Sequence, residues 1–114
     1  HRQLSPFDFG LFPLVSKDGL EEKALEIKTT LKDSNLAIFY DDSGSIGRRY
    51  RRMDEIGVSL SVTVDHQTIQ DNTVTVRDRD SMKQIRVDIP NLEVTLKNII
   101  HGKVEFEKAG KPVN

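Results

Sequence analysis

Arginine is the residue type best suited to chemistry in this chain, and it is concentrated in two short stretches. Four arginines fall within residues 48–52, and an Arg-Asp-Arg-Asp string occupies residues 77–80. Because the planar guanidinium matches phosphate oxygens, the first stretch predicts a phosphate-binding face, with a solvated helix face as the alternative. In the second stretch, residues two apart share one side of an extended chain. Its arginines would project together, either as a binding surface or as a ladder of surface ion pairs.

A turn rich in serine and glycine precedes the first arginine stretch. Residues 43–47 read Ser-Gly-Ser-Ile-Gly, which fits the G-x-x-G pattern of one class of RNA-binding module. A helix that starts here would present free backbone N–H groups to an anion. The turn lacks the Lys-Ser/Thr ending of a Walker A loop and the glycine spacing of a nucleophile elbow. A strand-to-helix turn capped by serine is the alternative.

No set of side chains identifies a reaction. The carboxylate pairs Asp41-Asp42 and Asp54-Glu55 have no partner residues in the sequence, and adjacent residues on a helix do not face each other. The chain has no cysteine and three scattered histidines, which excludes thiolate catalysis and cysteine-ligated metals. We therefore assign no catalytic residue and no metal ligand.

The charge balance excludes a polycation but conceals a local asymmetry. Lysine and arginine total 17 against 18 aspartates and glutamates, for a formal net charge of -1. Counted by segment, residues 1–44 carry -3, residues 45–87 carry +2 and residues 88–114 carry 0. A net positive charge is thus confined to the middle of the chain, where a partner would be steered locally rather than by the whole molecule.

A chain of 114 residues forms one ordinary domain, because folding at this size buries enough surface for a single core. Its apolar runs are too short to cross a membrane. The first residues, His1-Arg2-Gln3, include neither an initiator methionine nor a signal-peptide stretch. We expect a fragment of a longer protein with no membrane association.

Alternating strand-like and helix-like stretches indicate a mixed α/β domain. The predicted strands, from their apolar runs and period-two alternation, are residues 7–15, 36–40, 58–64, 73–76 and 84–89. The predicted helices are residues 18–35, 46–57 and 90–102, the first with a capping box formed by Asp18 and Glu21. The stretch 65–72 is predicted as turn-rich.

Three strings of residues closely resemble the C-terminal anticodon-binding domain of glycyl-tRNA synthetase of the eukaryotic and archaeal type. They are Asp-Asp-Ser-Gly-Ser-Ile-Gly-Arg-Arg-Tyr at 41–50, Asp-Glu-Ile-Gly at 54–57 and Arg-Asp-Arg-Asp-Ser-Met-Lys-Gln-Ile-Arg at 77–86. The looser pattern of Ser-Ile-Gly, a basic helix and a later Glu-x-Gly is shared with the synthetases for threonine, proline and histidine.

The resemblance implies an α/β fold with a five-stranded mixed sheet flanked by about three helices. It covers residues 6–102, which we expect to form the anticodon-binding domain. Residues 1–5 are expected to be a cloning or linker remnant, and residues 103–114 a polar, loosely held C-terminal tail.

The resemblance also implies recognition of a tRNA anticodon loop. Carried over residue by residue, it points to Ser43 and Ser45 in the turn, Gln70 between two strands and Arg79 at a strand end, with Arg77 and Arg86 adjacent. The basic helix adds Arg48, Arg49 and Arg52 as candidate RNA contacts. A glycine anticodon ends in two cytosines. Asp78 or Asp80 would accept hydrogen bonds from their exocyclic amines.

Catalysis, by the same resemblance, belongs elsewhere in a parent glycine-tRNA ligase. A preceding domain would activate glycine with ATP and Mg, so this fragment needs no cofactor and should be inactive by itself. We expect a monomeric fragment, a homodimeric parent and a cytoplasmic location, with a mitochondrial form of the parent left open.

Two other function classes remain as alternatives. One is a protein-interaction module that has the same fold but has lost RNA binding, as in the accessory subunit of a mitochondrial DNA polymerase. The intact Ser-Ile-Gly and Arg-Asp-Arg-Asp strings favour RNA binding over it. The other is a stand-alone small-molecule enzyme, which the lack of a coherent catalytic set disfavours.

Overall fold

A six-stranded mixed sheet is the centre of the computed structural model, which describes residues 6–113. The expected remnant at residues 1–5 lies outside the described residues. The strands are β1 Phe9–Pro13, β2 Ile38–Tyr40, β3 Leu60–Val64, β4 Thr73–Asp78, β5 Gln84–Asp88 and β6 Lys111–Val113. The helices are α1 Leu20–Thr30, α2 Ile46–Glu55, α3 His66–Asp71 and α4 Leu92–Ile100.

The strand order is β2-β1-β3-β4-β5-β6. The first three strands are parallel and the remaining pairs are antiparallel, which confirms the predicted mixed α/β sheet. Gly10 pairs with Ser61, Ser61 with Arg77, and Arg77 with Gln84, so these four residues form one row across the sheet. Because side chains alternate between faces along a strand, the whole row points to one face.

The two faces of the sheet are covered differently. On the first face, residues of α1 and α4 pack on the apolar positions of β1, β3, β4 and β5 to form the main core. On the second face, α2 buries Met53 against Phe12 and Val58 in a smaller cluster. Thr73, Thr75, Arg77 and Arg86 belong by strand alternation to this second face. The period-two pattern of β4 therefore separates an apolar face from a polar one, as the sequence predicts.

The first helix begins differently from its prediction. Gly19 is the N-cap, in the left-handed region with φ of 81° and no side-chain cap bond, so the predicted capping box of Asp18 and Glu21 is wrong. Asp18 precedes the cap and its carboxylate instead lies 3.0 Å from His66 Nε2, which ties the loop before α1 to α3. The end of the second helix is predicted at Gly57, two residues beyond its observed end at Glu55. Gly57 has a φ of 75°, as expected for a glycine that follows a helix.

Two elements were not predicted, so the sheet has six strands rather than five and the described residues contain four α-helices. The extra helix, α3, has a capping box in which Asp65 accepts from Thr68 N and Thr68 Oγ1 accepts from Asp65 N. The extra strand, β6, pairs with β5, and Phe106 packs against the main core ahead of it. Residues 103–113 are thus attached to the domain rather than loosely held.

Gly10 allows α2 to approach the sheet closely. A Cβ at this position would overlap Met53 Sδ, whereas a Cβ at Gly47 in α2 would meet no atom within 4 Å. We expect Gly10→Ala to lower the free energy of unfolding by about 1–3 kcal/mol, because overpacking forces side chains from their rotamers. Gly47→Ala should raise it by about 0.5–1 kcal/mol, since alanine favours the helix.

Urea unfolding of the two variants and the wild type measures both changes. Adding Met53→Ala to Gly10→Ala tests the cause, because removing the thioether should make the Gly10 substitution nearly neutral in that background. Equal cost of Gly10→Ala with and without Met53 would contradict the close-approach explanation.

Candidate functional site

Helix α2 positions most of the predicted site residues. Its N-terminus follows β2, at the carboxyl end of the parallel strands, and its last turn reaches the β4–β5 hairpin, where Asp54 Oδ1 lies 3.9 Å from Arg79 Nη1. The ten residues of this helix span about 15 Å. Side chains at its two ends therefore belong to two separate parts of the surface.

The turn before α2 is rigidly built. Asp41 Oδ1 accepts hydrogen bonds from Ser43 N at 3.0 Å and from Ser43 Oγ at 2.9 Å. Arg52 Nε donates to Asp41 Oδ2 at 2.5 Å, and Arg52 Nη2 donates to Ser43 O at 2.6 Å. Burial raises the pKa of Asp41, but the hydrogen bonds from Arg52 and Ser43 outweigh burial and hold that pKa below its usual value. Arg52 is thus engaged in holding this turn.

Arg49 does not lie on the phosphate-binding or solvated helix face predicted for residues 48–52. Its exposed fraction is 2%, and its guanidinium donates to the carbonyl oxygens of Pro13 and of residues 42–44 and to Ser16 Oγ. A guanidinium that is buried and whose three nitrogens each donate to the protein is unavailable to a phosphate. The expected phosphate contact by Arg49 is corrected to a structural role.

The spacing along α2 explains this placement. Ile46, Arg49, Tyr50 and Met53 follow the i, i+3, i+4, i+7 positions of a single helical stripe. Arg49 therefore interrupts the apolar stripe that packs against the sheet. The same spacing in the sequence was the signal that distinguishes Arg49 from Arg48 and Arg51, which are exposed.

Other predicted residues at this end of the sheet are exposed. Ser45 is the N-cap of α2 and its Oγ accepts from Arg48 N at 3.3 Å, which confirms the serine cap. Ser43 and Arg48 are exposed beside it. Gln70 is exposed on α3, which follows β3 and so lies at the same end of the sheet as the turn. The structure thus brings the turn and Gln70 to one end of the molecule.

The β4–β5 hairpin holds the Arg-Asp-Arg-Asp string at the opposite end. Asp78 is 7% exposed and accepts from Ser81 Oγ at 2.9 Å, while its carbonyl accepts from Met82 N at 2.8 Å. A carboxylate buried in the hairpin is not presented to a base, so the expected base contact by Asp78 is corrected to a structural role. Asp80 remains exposed, with Oδ1 3.8 Å from Arg79 Nε.

A cleft of about 300 Å³ lies between this hairpin and the last turns of α2. We call it the hairpin cleft, and its lining residues are Tyr50, Met53, Asp54, Val58, Ser61, Arg77, Arg79 and Met82. The guanidinium carbon of Arg77 lies 4.9 Å from the centroid of the Tyr50 ring, within cation–π distance. Arg77 and Arg79 are predicted as site residues from the sequence, and the other six are not. The resemblance strings contain Tyr50, Asp54 and Met82, but nothing in the sequence shows that they meet.

Arg86 lies on the polar face but is engaged in an ion pair. Its Nη2 donates to Asp65 Oδ2 at 2.6 Å and its Nη1 donates to Thr73 Oγ1 at 3.0 Å. Burial raises the pKa of Asp65, but hydrogen bonds and charge from Arg86 outweigh it and lower that pKa below 3.8. Arg86 thus connects β5 to the cap of α3 and offers little of its guanidinium to a partner.

Three comparisons relate the chain to known proteins. A family model described as "Anticodon binding domain" matches residues 8–99. The chain is 46% identical over 96% of its length to a glycine–tRNA ligase of Archaeoglobus fulgidus and 43% identical over 98% to one of Aeropyrum pernix. It spans 19% of each of these relatives.

A crystal structure of prolyl-tRNA synthetase from Cryptosporidium parvum shares the fold. The TM-score is 0.76 at 22% sequence identity, over 85% of this chain and 21% of that chain. Within residues 6–113, no helix has both the length and the apolar character needed to cross a membrane.

The Asp65–Arg86 pair predicts a specific pH dependence of stability. Because the pKa of Asp65 is lower in the folded chain than its unfolded value of 3.8, its contribution is complete above that value and is lost as the pH falls through the folded pKa. We expect Asp65→Asn to lower the free energy of unfolding at pH 7 by about 1–3 kcal/mol. The difference from wild type should shrink at pH 3.

Urea unfolding at pH 7 and pH 3 checks this expectation. Asp88→Asn is the matched control, because Asp88 is an exposed carboxylate at the C-terminal end of β5, the strand that carries Arg86. A deficit of the Asp65 variant that is the same size at both pH values would contradict the electrostatic explanation.

Proposed function

The chain belongs to the family of anticodon binding domains, and we propose that it is the tRNA-binding module of a glycine–tRNA ligase. Its relatives named glycine–tRNA ligase match nearly the whole chain, which supports glycine as the amino acid of the parent. The parent's activity is attachment of glycine to tRNA. The module's part in it is to bind the anticodon loop, so that a separate catalytic domain meets the other end of the correct tRNA.

The observation that carries the proposal is the hairpin cleft, with two arginines at the edge of a polar sheet face. The bases of a single-stranded loop unstack and present their Watson–Crick edges, which side chains read by stacking and hydrogen bonding. Arg77 supplies a guanidinium next to an aromatic ring, and Arg79 supplies donors beside exposed carboxylates. Such a combination of stacking surface and positive charge suits unpaired bases.

The exposed residues at the other end of α2 suit the sugar–phosphate backbone of the same loop. Arg48 and Arg51 project from α2 into solvent, and the capped turn at Ser43 and Ser45 is held rigid next to them. Gln70 lies at this end as a further polar contact. One end of α2 would thus contact the sugar–phosphate backbone of the RNA, and the other end would contact its bases.

The remaining features of the parent enzyme follow from its class. We propose that ATP and Mg act in the catalytic domain outside this chain, that the isolated chain is inactive and monomeric, and that the parent is a homodimer. Cytoplasm is the proposed location. No observation favours the alternative of a protein-interaction module.

Binding of short RNAs to the 114-residue chain tests the proposal. A stem-loop with a glycine anticodon should bind more tightly than the same stem-loop with both cytosines changed, because cytosine amines are donors for exposed carboxylates. Arg79→Ala should cost about 1–3 kcal/mol of binding free energy and reduce that preference. Lys103→Ala, which removes one exposed positive charge just beyond α4, is the control and should change neither.

Fluorescence titration of labelled stem-loops measures these affinities, and aminoacylation by the full-length ligase repeats the comparison where the tRNA is held by the whole enzyme. Equal affinity for both stem-loops together with equal aminoacylation of both tRNAs would contradict anticodon recognition by this chain.

Backbone contacts by α2 make a separate prediction. Arg48→Ala should weaken binding of all stem-loops by a similar factor, because a phosphate contact does not depend on the base sequence. The slope of log affinity against log salt should fall in magnitude by about 0.7 per lost contact. Measuring the affinity at several salt concentrations between roughly 50 and 200 mM gives both quantities. A loss confined to the glycine anticodon would contradict a phosphate role for Arg48.

A further inference from the structure

The hairpin cleft has the size and walls of a site for one unstacked base. Its volume of about 300 Å³ is at the lower limit of ligand pockets and is large enough for one pyrimidine ring. Met53 and Val58 form the apolar floor of the cleft and are both 3% exposed. Arg77 contacts the Tyr50 ring and also donates to Met82 Sδ at 3.3 Å, so these three side chains form one continuous wall.

The opposite charges in the cleft are paired only loosely. Arg79 Nη1 and Asp54 Oδ1 are 3.9 Å apart, beyond hydrogen-bond length. The Asp54 side chain is 60% exposed and that of Arg79 is 33% exposed. A carboxylate acceptor and guanidinium donors therefore stand side by side with hydrogen-bonding capacity left over. A ligand that presents a donor next to an acceptor would satisfy both.

Among the aspartates near Arg79, Asp54 is the one placed for this role. Asp78 is buried and accepts from Ser81 within the hairpin. Asp80 lies near Arg79 but is not among the residues that line the cleft. Asp54 alone of the three combines exposure with a position in the cleft wall.

We propose that Asp54 is a specificity-determining residue of the anticodon site, a role that rests on the proposed function. Its carboxylate accepts a hydrogen bond from the exocyclic amine of one anticodon cytosine, while Arg79 donates to the ring carbonyl oxygen of the same base, which cytosine and uracil share. Tyr50, Arg77 and Met82 contact the face of that base. Asp54 lies outside the turn, the inter-strand loop and the charged strand end from which the resemblance drew its site residues.

The proposal predicts discrimination between cytosine and uracil. Uracil has the same ring size but carries a carbonyl where cytosine carries the amine, so its oxygen would face the Asp54 carboxylate. Repulsion between two acceptors replaces a hydrogen bond. The expected preference of the wild type for cytosine, at one of the two positions, is about 5- to 150-fold, the range for one good side-chain-to-base pairing.

Two matched variants test the role of Asp54. Asp54→Asn keeps the shape of the side chain, but its amide can present either a carbonyl oxygen or an N–H group to the base. The variant should therefore bind cytosine and uracil alike, with a cytosine-to-uracil affinity ratio within about threefold of unity. Glu55→Gln removes the same charge from the neighbouring exposed residue, which lies outside the cleft lining. It should keep the wild-type ratio.

The experiment is a titration of the 114-residue chain with three labelled stem-loops. They carry the glycine anticodon, that anticodon with its first cytosine changed to uracil, and that anticodon with its second cytosine changed. The ratio of affinities is the readout, because loss of a negative charge raises the affinity of both variants for every RNA. Circular dichroism shows that each variant retains the fold.

The outcomes separate the two proposals. A wild type that discriminates, with an Asp54→Asn variant that has lost the ratio and a Glu55→Gln variant that keeps it, supports the role of Asp54. A wild-type ratio that survives in Asp54→Asn, or falls equally in Glu55→Gln, overturns that role and leaves anticodon recognition standing. A wild type without discrimination at either position overturns both the role and the readout of cytosine.

Discussion

The buried guanidinium of Arg49 holds the N-terminal end of α2 in place on the second face of the sheet. It donates to the carbonyl of Pro13 at the end of β1, to carbonyls of the turn at residues 42–44, and to Ser16 Oγ in the following loop. A cation removed from water is costly unless its donors are satisfied, and here backbone carbonyls satisfy them. The interaction therefore connects the end of β1, the loop that follows it and the turn before α2. Because α2 carries this side chain, its N-terminal end is held against the carboxyl end of β1.

Holding one end of α2 also sets the other. The helix presents three faces with different tasks, since successive residues are rotated by about 100°. Arg49 and Met53 are directed into the protein, Tyr50 and Asp54 border the hairpin cleft one turn apart, and Arg48 is in solvent. A rigid helix transmits the fixed position of its first turn to its last. The cleft is thus bordered by a helix that is held at its far end by Arg49 and at its near end by the packing of Met53.

Sequence patterns were sufficient where one physical requirement dominated. The alternation in β4 encodes an apolar and a polar face, and the resemblance strings identify the family. They were insufficient where a residue type is ambiguous. An arginine in a charged run reads as exposed, yet Arg49 is buried because carbonyls rather than water receive its donors. Asp78 reads as a charged strand end, yet it is enclosed by its hairpin. The cleft joins residues far apart in sequence, and its walls meet through the pairing of β3 with β4 and the packing of α2 on the sheet.

The edges of the sheet disfavour strand pairing with a second copy of this domain. The described sheet ends on one side in β2 and on the other in β6, each only three residues long, and β6 carries Lys111 and Pro112. A proline has no amide hydrogen to donate, and a lysine at an edge opposes the approach of a second copy. Short, interrupted edges give another chain little unpaired backbone to extend. The part of the second face that α2 leaves open can thus serve a ligand without inviting the edge-to-edge strand pairing from which fibres form.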